Sequence, residues 1–139
     1  MHASFSKLCG GNVRPSRIVT LQADGTVIEA DGTTALPPWG VSQPSPRRMA
    51  LSGWDDGFAG IIGSPPINVF GPGDDECKVV AGGNLLVGQY IKAAAGGVAV
   101  QATTAGDQVI GVVQRGSRGA AQPIVSGDVI EIKLMRFDI

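Results

Sequence analysis

The strongest constraint on what this chain can fold into is that it repeats itself. Residues Ile18 to Gln43 (IVTLQADGTVIEADGTTALPPWGVSQ) lie over Tyr90 to Gln114 (YIKAAAGGVAVQATTAGDQVIGVVQ) with one single-residue gap, matching Ala23 with Ala95, Gly25 with Gly97 and Ala30 with Ala102. Beyond the gap, Gly40, Val41 and Gln43 fall on Gly111, Val112 and Gln114. Each copy reads as strand, glycine turn, strand, Thr-rich loop and a short Gly-Val strand. A unit this small cannot bury its apolar face alone, so a duplicate implies that the copies pack on each other.

The local patterns are those of β-structure. In Val129 to Leu134, Ile130, Ile132 and Leu134 alternate with Glu131 and Lys133, which gives one buried and one wet face. Val112 and Ile132 are assigned to the core. Ile18–Leu21, Thr26–Ala30, Lys78–Ala81, Tyr90–Ala93, Val98–Ala102 and Val109–Gln114 read as further strands. Asp24-Gly25, Asp31-Gly32, Gly82-Gly83, Gly96-Gly97 and Gly127-Asp128 separate them, with the residues that supply positive φ in tight turns. Many short strands at close spacing predict an all-β domain, a small β-barrel, β-tulip or sandwich built from the repeat.

Two regions stand apart from the repeat. Residues 1–17 hold Lys7, Arg14 and Arg17 and no acidic residue, and Gly10, Gly11 and Pro15 interrupt them. They read as an extended basic arm whose Phe5, Leu8 and Val13 a purely solvated tail would not need. Because the arm precedes the first predicted strand, its removal is expected to leave the domain folded. The stretch between Pro37 and Asp75 carries seven of the nine prolines, both Trp residues, Phe58 and Phe70, and reads as a loop-rich insertion. Within it Ser45 and Pro46 start, and Gly53 ends, a predicted helical turn over 47–52. Its rings either form a second small core or face a partner. The expected organisation is an arm (1–17) and one β domain (18–139). That domain divides into copy one (18–43), the insertion (44–76), and copy two with the final strand (77–139).

Chemistry is scarce. With 139 residues the chain is long enough for one core, and it is weakly charged: 17% of residues are Asp, Glu, Lys or Arg, against about 25% in ordinary domains. A net charge of −1 argues against nucleic-acid binding, which needs a basic face. No apolar run approaches the length of a membrane span, and the N-terminus lacks a signal-like core, so a soluble, intracellularly made protein is expected. His2 is the only histidine, and with Cys9 and Cys77 it cannot complete a zinc site. An intracellular chain favours two reduced thiols over a bridge between them. Asp55-Asp56 and Asp74-Asp75-Glu76 lack a calcium-loop pattern. Lys133 lies inside an alternating strand rather than at the exposed hairpin tip a biotin or lipoyl carrier requires. No catalytic residue, cofactor or metal is expected, and the chain is read as not an enzyme.

The second half carries a further pattern. It runs Ala81-Gly82 through Gly88, Gly96-Gly97, Ala102 to Gly106, Ile110-Gly111-Val112-Val113, Gly119 to Ala121 and Gly127-Asp128-Val129. This order of small-residue turns and β-branched strands resembles tailed-phage head decoration proteins, also called capsid cement proteins, over residues 79–135 and more loosely over 18–43. The resemblance implies a small β-domain on the capsid exterior of a virion, made in the host cytoplasm and often trimeric, with the major capsid protein and its own copies as partners. No membrane or nucleic acid is implied. The contact surface is then expected on the arm, at Phe5, Lys7, Leu8, Arg14 and Arg17, and on the insertion, at Trp39, Arg47, Arg48 and Trp54. A carbohydrate-binding or fibre/tail-type β module, with Trp39 or Trp54 as stacking platform, is the alternative.

Overall fold

The computed structural model describes residues 5–32, 38–43, 60, 67–71, 76–116 and 124–138. These residues form ten strands in chain order: β1 (Phe5–Lys7), β2 (Ile18–Leu21), β3 (Val27–Glu29), β4 (Pro38–Ser42), β5 (Ile67–Phe70), β6 (Glu76–Val80), β7 (Tyr90–Ala93), β8 (Ala99–Gln101), β9 (Gln108–Arg115) and β10 (Val129–Asp138). They form two antiparallel five-stranded sheets, ordered β1-β5-β4-β2-β3 and β6-β10-β9-β7-β8. Among the described residues there is no helix; the turn expected over 47–52 lies outside them.

The two sheets have one topology. β1 to β5 correspond in order to β6 to β10, so each half is a complete copy of the same five-stranded unit. The match reaches single hydrogen bonds. Gly10 N donates to Val27 O (2.9 Å) as Gly82 N donates to Ala99 O (2.7 Å), and Ser16 N to Ser42 O as Gly88 N to Val113 O (both 2.9 Å). Isolated bridges follow suit: Cys9 with Val27 mirrors Ala81 with Ala99, and Val13 with Gly60 mirrors Leu85 with Ile124. Even the left-handed backbone recurs, with Ser16 at φ 59° where Gly88 has φ 92°.

This corrects two expectations and, of the barrel, tulip or sandwich expected, selects the sandwich. The duplication begins before Ile18: residues 5–17 supply β1 and the bridging residues Cys9 and Val13, both buried, so the described part of the presumed arm is woven into the first sheet. β10 is the counterpart of β5 and not an addition to the repeat, and the insertion contains a strand of its sheet, Ile67–Phe70. Finally, neither sheet closes into a barrel. A single parallel bridge brings the end of the first strand to the third, but the three-residue edge strands β3 and β8 are too short for a closing ladder. Two open, packed sheets make a β-sandwich.

Two apolar clusters hold the halves. One lies wholly in the first: Cys9, Val13, Val19, Val27, Ile67 and Val69, edged by Leu21 and Trp39. The other is the core of the second half, including Leu85, Ile91, Ile110, Ile130 and Ile132, and it also takes in Ile18, Ala30, Val41 and Phe70 from the first. The first half thus uses both faces of its sheet, with Val19 turned inward and Ile18 turned onto the neighbouring half. Ile132 is fully buried as expected, paired with Val113 on β9 and Cys77 on β6. Val112 is only half-buried: Ile132 stands opposite Val113, so Val112 points to the other face with Lys133 beside it.

The halves meet through backbone. Ile18 N donates to Gly97 O (2.7 Å), Gly97 N to Ala30 O (2.9 Å) and Val80 N to Ser16 O (2.9 Å). Gly97, at φ 74°, sits so close that a Cβ there would lie 2.5 Å from Ile18 O. Its counterpart Gly25, at φ 87°, has open space instead. Gly97→Ala is therefore expected to cost about 3 kcal/mol or more, and Gly25→Ala only the left-handed strain of about 1 kcal/mol. Denaturant unfolding of the two variants measures the difference; equal losses would contradict this packing of the halves.

Candidate contact surface

The arginines nominated for a contact are engaged within the fold. Arg14 grips Glu29 with Nε to Oε2 at 2.9 Å and Nη2 to Oε1 at 3.0 Å, while its own backbone N donates to Oε2 at 2.8 Å. This fork holds the loop after Val13 against β3, and the hydrogen bonds to Glu29 raise the guanidinium pKa further above its ordinary value. Arg17 reaches across to the second half, donating from Nη1 to Gly96 O at 3.1 Å. Burial, and then the nearby Arg14 charge, lower its pKa. The buried Ser42 pins this loop to β4: its Oγ accepts from Arg17 N at 3.2 Å and donates to Arg14 O at 2.6 Å. The basic charge of the N-terminal segment is thus partly neutralised by Glu29 and partly spent on the seam between the halves.

The other nominated residues divide differently. Lys7 Nζ stands 5.2 Å from the centroid of the Trp39 ring, a cation–π contact that covers one ring face. Leu8 follows with 53% of its surface exposed. Lys7, Leu8 and Trp39 therefore share one end of the first half, beside the Leu21 edge of its core. Phe5 lies in β1 opposite Val69. Arg47, Arg48 and Trp54 lie outside the described residues.

A second apolar surface stands where composition gave no warning. Leu86 (63% exposed), Val87 (55%), Tyr90 (44%) and Phe137 (40%) are four of the six large hydrophobic residues left exposed among the described residues. Tyr90 and Phe137 pack edge to face with centroids 5.0 Å apart. A signal for this patch existed in the repeat. Tyr90 occupies the position of Ile18, as their pairing with Val112 and Val41 shows. Leu86 and Val87 occupy those of Arg14 and Pro15, one and two residues beyond the bridging Leu85 and Val13.

A groove of about 340 Å³ runs along the seam, lined in part by Ser16, Ser42, Phe70, Cys77 and Glu131. Cys9 and Cys77 are buried thiols that belong to the separate clusters of the two halves. Among the described residues, no three His, Cys, Asp or Glu side chains gather in a way that could hold a metal ion. Nor is any helix of those residues long and apolar enough to cross a membrane.

No protein-family model matches the sequence, and no curated protein does. Among solved structures the chain is similar to the head fiber gp8.5 N base of bacteriophage phi29, with a TM-score of 0.59 and 18% identity. The likeness covers 100% of this chain and 98% of that one. The two share a fold from end to end.

Proposed function

We propose that this protein is a structural component of a tailed-phage virion that binds the outer surface of the capsid and stabilises the shell. The observation that carries the reading is the likeness in fold, over the whole chain, to the base of a phage head fibre. The resemblance of residues 79–135 to capsid cement proteins supports it independently. The proposed partners are the major capsid protein and other copies of the chain, as a homotrimer, and the role requires no reaction. A protein that binds an assembled lattice better than its free subunits stabilises the lattice by mass action.

Co-sedimentation with expanded capsid shells tests this. Saturable pelleting with shells, together with a higher shell disruption temperature, is the expected result; protein that stays in the supernatant at every ratio would contradict it. The fold likeness also favours a second reading, in which the domain is the capsid-bound base of a longer fibre. Saturation separates the two. A cement protein fills positions across the whole lattice, whereas a fibre base fills a sparse subset and leaves shell stability unchanged.

A further inference from the structure

The interface between the halves is head-to-tail. The first half contributes the loop Arg14–Arg17 and the face of Ile18, Val41 and Phe70; the second contributes the β7–β8 turn at Gly96-Gly97 and the end of β6. These are different parts of one repeated unit, so the contact is heterologous, and such a contact leaves one unused surface at each end of the pair. On the second half the unused surface is the counterpart of the Arg14–Ile18 face, namely Leu86, Val87, Tyr90 and the adjoining Phe137. On the first half it is the counterpart of Val79, Val80 and Gly97, namely Lys7, Leu8 and the Asp24-Gly25 turn. Within the chain Ile18, Val79 and Gly97 are buried at this contact; at the ends the two surfaces hold five of the six large exposed hydrophobic residues among those described, Leu8 and the four of the patch.

We propose that the Leu86–Tyr90–Phe137 face of one copy docks on the Leu8–Gly25 end of a second copy, repeating between chains the contact that the halves make within one. This goes beyond capsid binding and does not depend on it. The internal seam specifies the geometry. Tyr90 N donates to Gly25 O of the next copy as Ile18 N does to Gly97 O, and Leu8 N donates to Gly88 O as Val80 N does to Ser16 O. Leu86 and Val87 stand in place of Arg14 and Pro15, which makes that part of the docked surface more apolar, while Lys133, Lys7 and Asp24 stand in place of Phe70, Val79 and Gly96. Tyr90 and Phe137 supply the large rings that anchor protein interfaces. Repetition of a heterologous contact closes a ring or extends a filament, according to the rotation per copy.

The test is analytical ultracentrifugation of the full chain over a concentration series, with two variants. A Cβ at position 25 meets nothing within 4 Å in the free chain and Asn tolerates positive φ, but at the docked turn the side chain of Gly25→Asn would strike main chain as a Cβ at Gly97 would. Tyr90→Asp places a carboxylate in the opposite apolar face. The wild-type chain is expected to self-associate, and each variant to do so at least about tenfold more weakly, a loss of about 1.4 kcal/mol. Leu86→Asp replaces Tyr90→Asp if the latter's circular dichroism shows a loss of fold. Mixing is decisive, because each variant keeps the surface the other has lost: Gly25→Asn plus Tyr90→Asp is expected to give a 1:1 dimer and nothing larger. A wild-type monomer at every concentration, association that survives both variants, or a mixture that stays monomeric would each overturn the proposal.

Discussion

Deleting residues 2–13 is expected to unfold the protein, or to leave it so unstable that it does not accumulate. The segment carries β1, which pairs with β5 from Phe5–Val69 to Lys7–Ile67, and the buried residues Cys9 and Val13 of the first half's core. Fully burying a side chain such as Val13 contributes about 1.5 to 3 kcal/mol. Its removal with Cys9 and a strand leaves Val19, Val27, Ile67 and Val69 facing water. The combined loss is comparable with the whole stability of a domain, about 5 to 15 kcal/mol. A truncated chain with an unchanged melting temperature would show that these residues do not pack as described. A reading from charge alone predicts the opposite, since a solvated arm can be cut without consequence.

Ile132→Asp is the second large effect. Ile132 is fully buried between Cys77 and Val113, and an additional methyl at Gly111 would press to 3.0 Å from its Cδ1, so the site has little room to relax. A carboxyl group placed there must either stay protonated or bury an unpaired charge. With the lost apolar contacts the cost is on the order of 5 kcal/mol. Thermal unfolding followed by circular dichroism is expected to show no cooperative transition at room temperature and above. The neighbouring Lys133→Asp, on the exposed face, is expected to shift the transition by little. If the two variants behaved alike, the register of β10 would be wrong by one residue, which would exchange its faces.

The strands of the second half are readable from sequence because alternation and glycine turns point the same way there. Tyr90–Ala93, Ala99–Gln101 and Gln108–Arg115 fall on the expected segments within a residue or two, as do Ile18–Leu21 and Val27–Glu29 in the first half. Two strands of the first half were hidden for physical reasons. β5 spans four residues, and the prolines and glycines on either side in the sequence mark it as loop, although Ile67 and Val69 point in and Asn68 out. β1 is shorter still, and the uncompensated Lys7, Arg14 and Arg17 suggest a solvated arm because their acceptors, Glu29, Gly96 O and the Trp39 ring, are remote in sequence.

One signal was nonetheless present. Cys9-Gly10-Gly11-Asn12 matches Ala81-Gly82-Gly83-Asn84, and extending the repeat through these residues places Val13 under Leu85 and Lys7 under Val79. The exposed apolar patch was less accessible to such reasoning. Exposure of Leu86, Val87 and Tyr90 follows from which half lies at the end of the pair, and no local pattern encodes that. Lys7, Leu8 and Trp39 were nominated for the charge and size of their side chains rather than for their shared position at one end of the first half.

Amide hydrogen exchange tests most directly the claim that the chain is two complete copies of one five-stranded unit beginning at residue 5. Gly10 N and Gly82 N donate to equivalent carbonyls, of Val27 and Ala99, and Val13 N and Leu85 N to those of Gly60 and Ile124. If both halves fold as whole units, Gly10 and Val13 exchange slowly, within the range shown by Gly82 and Leu85 and far below the rate of an unstructured peptide. Fast, peptide-like exchange at Gly10 and Val13 beside strong protection at Gly82 and Leu85 would contradict the account and restore the N-terminal segment to a free arm.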